Sequence, residues 1–141
     1  MRCLLRLAVA VPLFAAALLA GQNSTLPAGS RIYIAAMEWQ MEQHIAAEIQ
    51  RQHLPLTVVS DPAQADFVMT GRAEKLSSHM LAPGRNFKVT LAPAGGSGTV
   101  WTGEADDYAT FFGRLRSHGP ARAARVIVSS LRGRFFKNSR P

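Results

Sequence analysis

A chain of 141 residues, 48% of them apolar, is long enough for one compact core and too short for a second large domain. It carries 16 Lys and Arg against 9 Asp and Glu, a formal net charge of +7, and one cysteine. This composition excludes a wholly disordered chain, a collagen-like fibre and a disulfide-stapled miniprotein.

The first element has the form of an export signal. Arg2 and Arg6 precede an uncharged apolar run from Leu7 to Ala20, and Ala20-Gly21 supplies small residues at its exit. A positive start, a short apolar stretch and a small-residue exit make up a secretory signal peptide. The run is shorter than the roughly 20 apolar residues of a membrane span, and Pro12 interrupts it. Residues 1–21 are therefore expected to be removed, with retention as an anchor as the alternative, and the product is expected to be periplasmic or secreted. Leu18-Leu19-Ala20-Gly21 matches a lipobox up to the position of the acylated cysteine, which here is Gln22. Cys3 lies inside the signal, so the processed chain is expected to hold no disulfide, thiolate nucleophile or Cys-ligated metal.

Residues 22–30, with Pro27 and Gly29, read as a flexible lead-in to a single domain over residues 31–137. Arg31 to Met37 reads as a first strand. Glu38 to Gln52 contains neither Gly nor Pro, and Met37, Met41, Ile45 and Ile49 recur every fourth residue, which is helical spacing. Pro55 ends that helix, and Leu56 to Val59 forms a second strand. Asp61-Pro62 has the pattern of an N-cap followed by proline at the first helical position, giving one turn through Ala65. Asp66 to Lys75 reads as a third strand, followed by a loop over 76–86. Phe87, Val89 and Leu91 alternate with Lys88 and Thr90 in the period-two pattern of a half-buried strand. The turn 92–98 returns the chain into a strand over Thr99 to Ala105, making a hairpin.

Asp106-Asp107 then reads as the cap of a helix carrying Tyr108, Phe111, Phe112 and Leu115. Residues 120–136 form a further helix, with Ala121, Ala124, Ile127, Val128, Leu131 and Phe135 on one stripe. A βαβ unit followed by antiparallel strands and a C-terminal helix implies an α+β, two-layer fold. Its sheet is mixed, with helices mainly on one face.

The sequence carries no catalytic or cofactor motif. His44, His53, His79 and His118 form no HExxH pattern, and His44 with Glu48 supplies two groups where zinc takes at least three. There is no GxSxG turn, and Gly96-Ser97-Gly98 lacks the lysine and spacing of a phosphate loop. No catalytic residue, metal ligand or cofactor is assigned. Trp39 and Trp101 suit either core anchoring or stacking on a sugar or peptide. Trp39 lies off the methionine stripe and is the better surface candidate for stacking a ligand.

Val59-Ser60-Asp61-Pro62-Ala63-Gln64-Ala65-Asp66-Phe67-Val68-Met69-Thr70-Gly71 ends a strand, places Ala-Asp in a short turn and leads an apolar strand to glycine. This run resembles a theme of small bacterial envelope domains, the amino-terminal domain of TolB-like proteins and CsgG-like lipoproteins. The strand, helix and strand before it fit the same arrangement. The resemblance implies a non-catalytic α/β domain of the cell envelope that binds another protein. The missing lipobox cysteine departs from the lipoprotein members, and the absence of propeller repeats departs from a complete TolB-like protein.

Charge is distributed unevenly. Residues 21–110 hold six basic residues and all nine acids, whereas residues 111–141 hold eight basic residues and no acid. The candidate surface for an anionic partner is Arg114, Arg116, Arg122, Arg125, Arg132, Arg134 and Lys137, with a solvated helix face as the plain alternative. The partners expected in an envelope compartment are an acidic protein, an anionic polymer or lipid headgroups, and not nucleic acid. Three functions follow. The first is an exported, non-catalytic interaction module acting through its basic C-terminal helix or a sheet edge. The second is a protein whose last helix lies on an anionic membrane surface. The third is a small hydrolase with a dispersed site.

Overall fold

The computed structural model describes residues 25–75, 84–111, 114–117 and 119–137, with the strands inside 108–117 described by their backbone. The expected signal peptide lies outside the described residues. So do most of the loop expected over 76–86, His79 and His118.

Alternation decides the sheet. Strand β1 (Arg31–Ile34) pairs in parallel with both β2 (Thr57–Val59) and β3 (Phe67–Lys75). Strand β3 runs antiparallel to β4 (Arg85–Pro93), and β4 antiparallel to β5 (Trp101–Asp106), giving the order β2-β1-β3-β4-β5. The register sets Met69 against Leu91, Gly71 against Val89 and Ala73 against Phe87. Leu91, Val89 and Phe87 in turn face Trp101, Gly103 and Ala105. These residues and Ile32 line one face, where Ile32, Met69, Phe87, Val89 and Leu91 are at most 2% exposed. The opposite face carries Tyr33, Val68, Thr70, Arg72, Lys88, Thr90, Thr102 and Glu104, none of them buried.

Two helices close the apolar face. Helix α1 (Met41–Arg51) buries Met41, Ile45 and Ile49, the stripe expected from the sequence, and Met37 packs half-buried beside it. Helix α2 (Gly119–Phe135) packs against α1 and β5 and buries Ala123, Ala124, Ile127, Val128 and Leu131 completely. The stripe is thus rotated slightly from the expected one. Ala123 and Phe136 are buried, while Ala121 is exposed and Phe135 is half-buried. The α+β, mixed-sheet architecture read from the sequence is the one observed. Asp61 caps a 3-10 turn at Pro62–Gln64 by accepting from the Ala63 N–H at 2.9 Å.

Two expectations are corrected. The helix expected after Asp106-Asp107 is a β-hairpin, β6 (Tyr108–Phe111) with β7 (Arg114–Ser117), forming a separate two-stranded sheet. Asp107 caps no helix. Its carboxylate is 1% exposed and accepts the Arg85 backbone N–H at 3.1 Å. The lead-in expected over 22–30 is docked from Leu26 onward. Leu26 is buried in the core, and the Gly29 N–H donates to the Pro55 carbonyl at 2.6 Å.

Glu48 joins the two helices. Its carboxylate accepts from Arg51 at 2.6 Å and Gln52 at 3.1 Å, and Arg125 of α2 stands 3.7 Å away. Gln52 donates to the Arg125 carbonyl at 3.4 Å and accepts from Ser129 at 3.3 Å. The bonds from Arg51 hold the Glu48 carboxyl below the usual carboxylate range, against the opposing effect of its burial. A lowered native value stabilises the fold above the unfolded value, and that contribution is lost as pH falls below about 4.3.

Two predictions follow from this packing. Glu48→Gln should lower stability at neutral pH by about 1–3 kcal/mol and flatten the decline in stability below pH 4.3, measured by urea unfolding across pH. A β-carbon added at Gly103 would run into the Trp101 ring, whereas one added at Gly133 of α2 would meet nothing. Thermal unfolding should therefore show Gly103→Ala destabilised by about 1–3 kcal/mol or more, and Gly133→Ala stabilised by about 0.5–1 kcal/mol.

Candidate functional site

The nine acidic residues all lie within the described part of the chain, and every one is engaged there. Six form ion pairs: Glu48 with Arg51 and Arg125, Asp66 with Arg31, Glu74 with Arg72, Glu104 with Lys88, Asp106 with Arg122 and Asp107 with Arg85. The remaining three accept backbone N–H groups: Glu38 from Ala73, Glu42 from Met37 and Asp61 from Ala63. The Arg31–Asp66 pair is exposed. Bonds from the Arg31 guanidinium and its backbone N–H hold the Asp66 carboxyl below its ordinary value. At that exposure the pair is a register device more than a source of stability.

This arrangement sorts the seven basic residues singled out from the sequence. Arg122 lies 3.3 Å from Asp106, and Arg125 reaches Glu48, so both are neutralised by acids that precede them in the chain. Arg114 and Arg116 lie on β7, in register with Phe111 and Ala109, and do not belong to the C-terminal helix. Arg132, Arg134 and Lys137 are exposed in and just beyond the last turn of α2 and have no acidic partner among the described residues. Cations there also complement the negative end of the helix dipole. Arg134 sits 5.9 Å from the Phe135 ring centroid, a distant cation–π contact.

Trp39 is 55% exposed, as its position off the methionine stripe suggested, while Trp101 is buried over Gly103. The exposure arises from the backbone. Trp39 and Gln40 both adopt left-handed conformations, with φ of 62° and 55°, which bulky residues rarely take. Both lie inside the 3-10 turn at Glu38–Gln40 and kink the chain before α1 begins at Met41, where the sequence read one continuous helix. The guanidinium of Arg85 lies 3.6 Å from the Trp39 ring centroid. Nothing in the local sequence pairs these residues, because strand register brings Arg85 to that end of the sheet.

The open sheet face holds a shallow depression of about 250 Å³ lined by Thr70, Gly71, Arg72, Lys88 and Thr90. Arg72 and Lys88 are directly opposed there, and each is neutralised by a glutamate. Among the described residues no three His, Cys, Asp or Glu side chains converge as a metal site. No helix among them is long and apolar enough to cross a membrane.

No family model matches the chain, and no curated protein matches it. The fold is similar to that of the PelC dodecamer from Paraburkholderia phytofirmans, at 12% identity and TM-score 0.50, over 79% of this chain and 92% of that one. Lipoprotein GNA1162 from Neisseria meningitidis matches at 12% identity and TM-score 0.47, over 78% of this chain and 99% of that one. The hypothetical protein CT253 from Chlamydia trachomatis matches at 16% identity and TM-score 0.43, over 79% and 100%. At 12% identity the likeness to PelC is one of fold, and the two lower scores add nothing to it.

Proposed function

We propose that this chain is an exported cell-envelope protein acting as a non-catalytic interaction module, and that it meets an anionic partner through the C-terminal end of α2. One observation carries the reading. All nine acids are engaged within the chain, which leaves Arg132, Arg134 and Lys137 together, exposed and without an acidic partner among the described residues. Desolvating that cluster against carboxylates or phosphates gains attraction that no internal acid already supplies. The envelope setting draws on the apolar leader with its two arginines and on the resemblance of residues 59–71 to TolB-like and CsgG-like domains. PelC, whose fold is similar, is a dodecamer, which supports counting a second copy of this chain among the partners.

An acidic protein segment fits better than a membrane surface. A helix that lies on a bilayer must offer its apolar face to the lipid. The apolar face of α2 is already buried, with Ala123, Ala124, Ile127, Val128 and Leu131 at 0% exposure. Apart from Val126, exposed on the outer face, what α2 offers to headgroups is electrostatic contact at its end.

The test uses the triple variant Arg132→Gln, Arg134→Gln, Lys137→Gln. The wild-type chain should retain an acidic envelope protein at low salt and release it at high salt, and the triple variant should not retain it. Salt-insensitive retention, or equal retention by the variant, contradicts the reading. Strong sedimentation of the wild-type chain with phosphatidylglycerol vesicles would favour the membrane alternative.

A further inference from the structure

The Trp39–Arg85 pair lies apart from the end of α2 and has the features of a separate receptor. Arg85 opens β4 and is fixed at its backbone by the buried Asp107. Its N–H donates to the Asp107 carboxylate at 3.1 Å, and its carbonyl accepts the Asp107 N–H at 3.1 Å. At the side chain, Nη1 stands 3.8 Å from Asp107 Oδ2, and the guanidinium lies 3.6 Å from the Trp39 ring centroid. Neither of these two side-chain contacts is a hydrogen bond. Among the described residues the Arg85 guanidinium makes no hydrogen bond, and its side chain is 33% exposed. A guanidinium presents its N–H groups in its own plane, so contact over the indole leaves the donor edge free for a carboxylate.

The surroundings agree with that use. Lys75, exposed and without an acidic partner among the described residues, is directly opposite Arg85 across β3 and β4. Like charges in register repel, and the Asp107 carboxylate beside Arg85 offsets one of the two, so the pair of cations keeps a net positive charge for an anion. Of the acids nearby, Glu38 accepts the Ala73 N–H, and Asp107 accepts the Arg85 N–H through Oδ1 while its buried Oδ2 makes no hydrogen bond among the described residues. More than half of Trp39 remains in water, which gives an apolar contact beside the donor edge.

We propose that Trp39 and Arg85, with Lys75 beside them, form a docking point for an acidic protein segment. The Arg85 edge takes a carboxylate in a paired hydrogen bond, and the free indole surface takes a neighbouring apolar side chain. Because the residues differ, this site stands or falls independently of the cluster at the end of α2.

The chain has two tryptophans, so two indole N–H signals report the test, and buried Trp101 serves as the internal fold control. The probe is a capped synthetic peptide, Glu-Leu-Glu-Leu-Glu, with its all-glutamine counterpart for comparison. The acidic peptide should shift the Trp39 signal saturably and leave the Trp101 signal in place. Arg85→Lys, which keeps the charge but loses the planar fork, should weaken that binding about tenfold. The α2 triple variant should bind the peptide as the wild type does. The proposal is overturned if the Trp39 signal does not move, if the glutamine peptide moves it equally, or if Arg85→Lys binds as tightly. It is equally overturned if oligogalacturonate moves the signal and the acidic peptide does not. Should Arg85→Lys disturb the Trp101 signal, the contrast between the two peptides on the wild-type chain decides alone.

Discussion

The structure depends on the burial of α2 against β5 and α1. A single sheet with one apolar face requires a cover, and α1 alone does not supply it. Ala123, Ala124, Ile127, Val128 and Leu131 complete that cover, with Leu131 and Ile127 among the largest fully buried side chains. The small Ala123 and Ala124 allow the helix to approach closely, and the two branched residues with Leu131 fill the remaining space. Everything α2 offers to a partner is therefore what this packing leaves over: its outer face and its C-terminal end.

The same constraint arranges the charge. Packing α2 beside α1 brings Arg125 to Glu48, and packing it beside β5 brings Arg122 to Asp106. Two of the basic residues of the helix are thus absorbed by the fold that the helix completes. Beyond β5 and α1 there is no further acid to meet, and Arg132, Arg134 and Lys137 stay uncompensated among the described residues. The open sheet face follows a different rule. Its cations are each matched in register or along the strand, Lys88 by Glu104 and Arg72 by Glu74, so it presents a neutral polar surface.

Much of this fold was legible in the sequence because its signals were local. The period-four stripe of α1, the Asp61-Pro62 cap and the alternation of Phe87, Val89 and Leu91 each act over a few residues. The stretch after Asp106 is ambiguous by local pattern, because Tyr108, Phe111, Phe112 and Leu115 satisfy helical spacing while the aromatic and β-branched residues of Tyr108–Phe111 also suit the strand they form. Burial of Asp107 beneath Arg85, contacts made 22 residues apart, removed the supposed cap. The candidate site was legible only in part. The basic excess of the C-terminal region was visible, but its division into paired and unpaired cations rests on contacts 16 and 77 residues apart. Exposure of Trp39 was anticipated from its place off the stripe. Its partner Arg85 was not, because no short-range pattern joins a 3-10 turn to the start of a distant strand.

Helix α2 is a wall of the core, packed over its inner face and open on its outer face and at its C-terminal end. Native-state hydrogen exchange tests this packing most directly, by comparing the amides of Ile127, Val128 and Leu131 with those of Val89 and Leu91 in β4. Both sets should exchange only through global unfolding, with the same free energy of opening. Exchange of the α2 amides through a separate opening of lower free energy, while β4 stays protected, would contradict it.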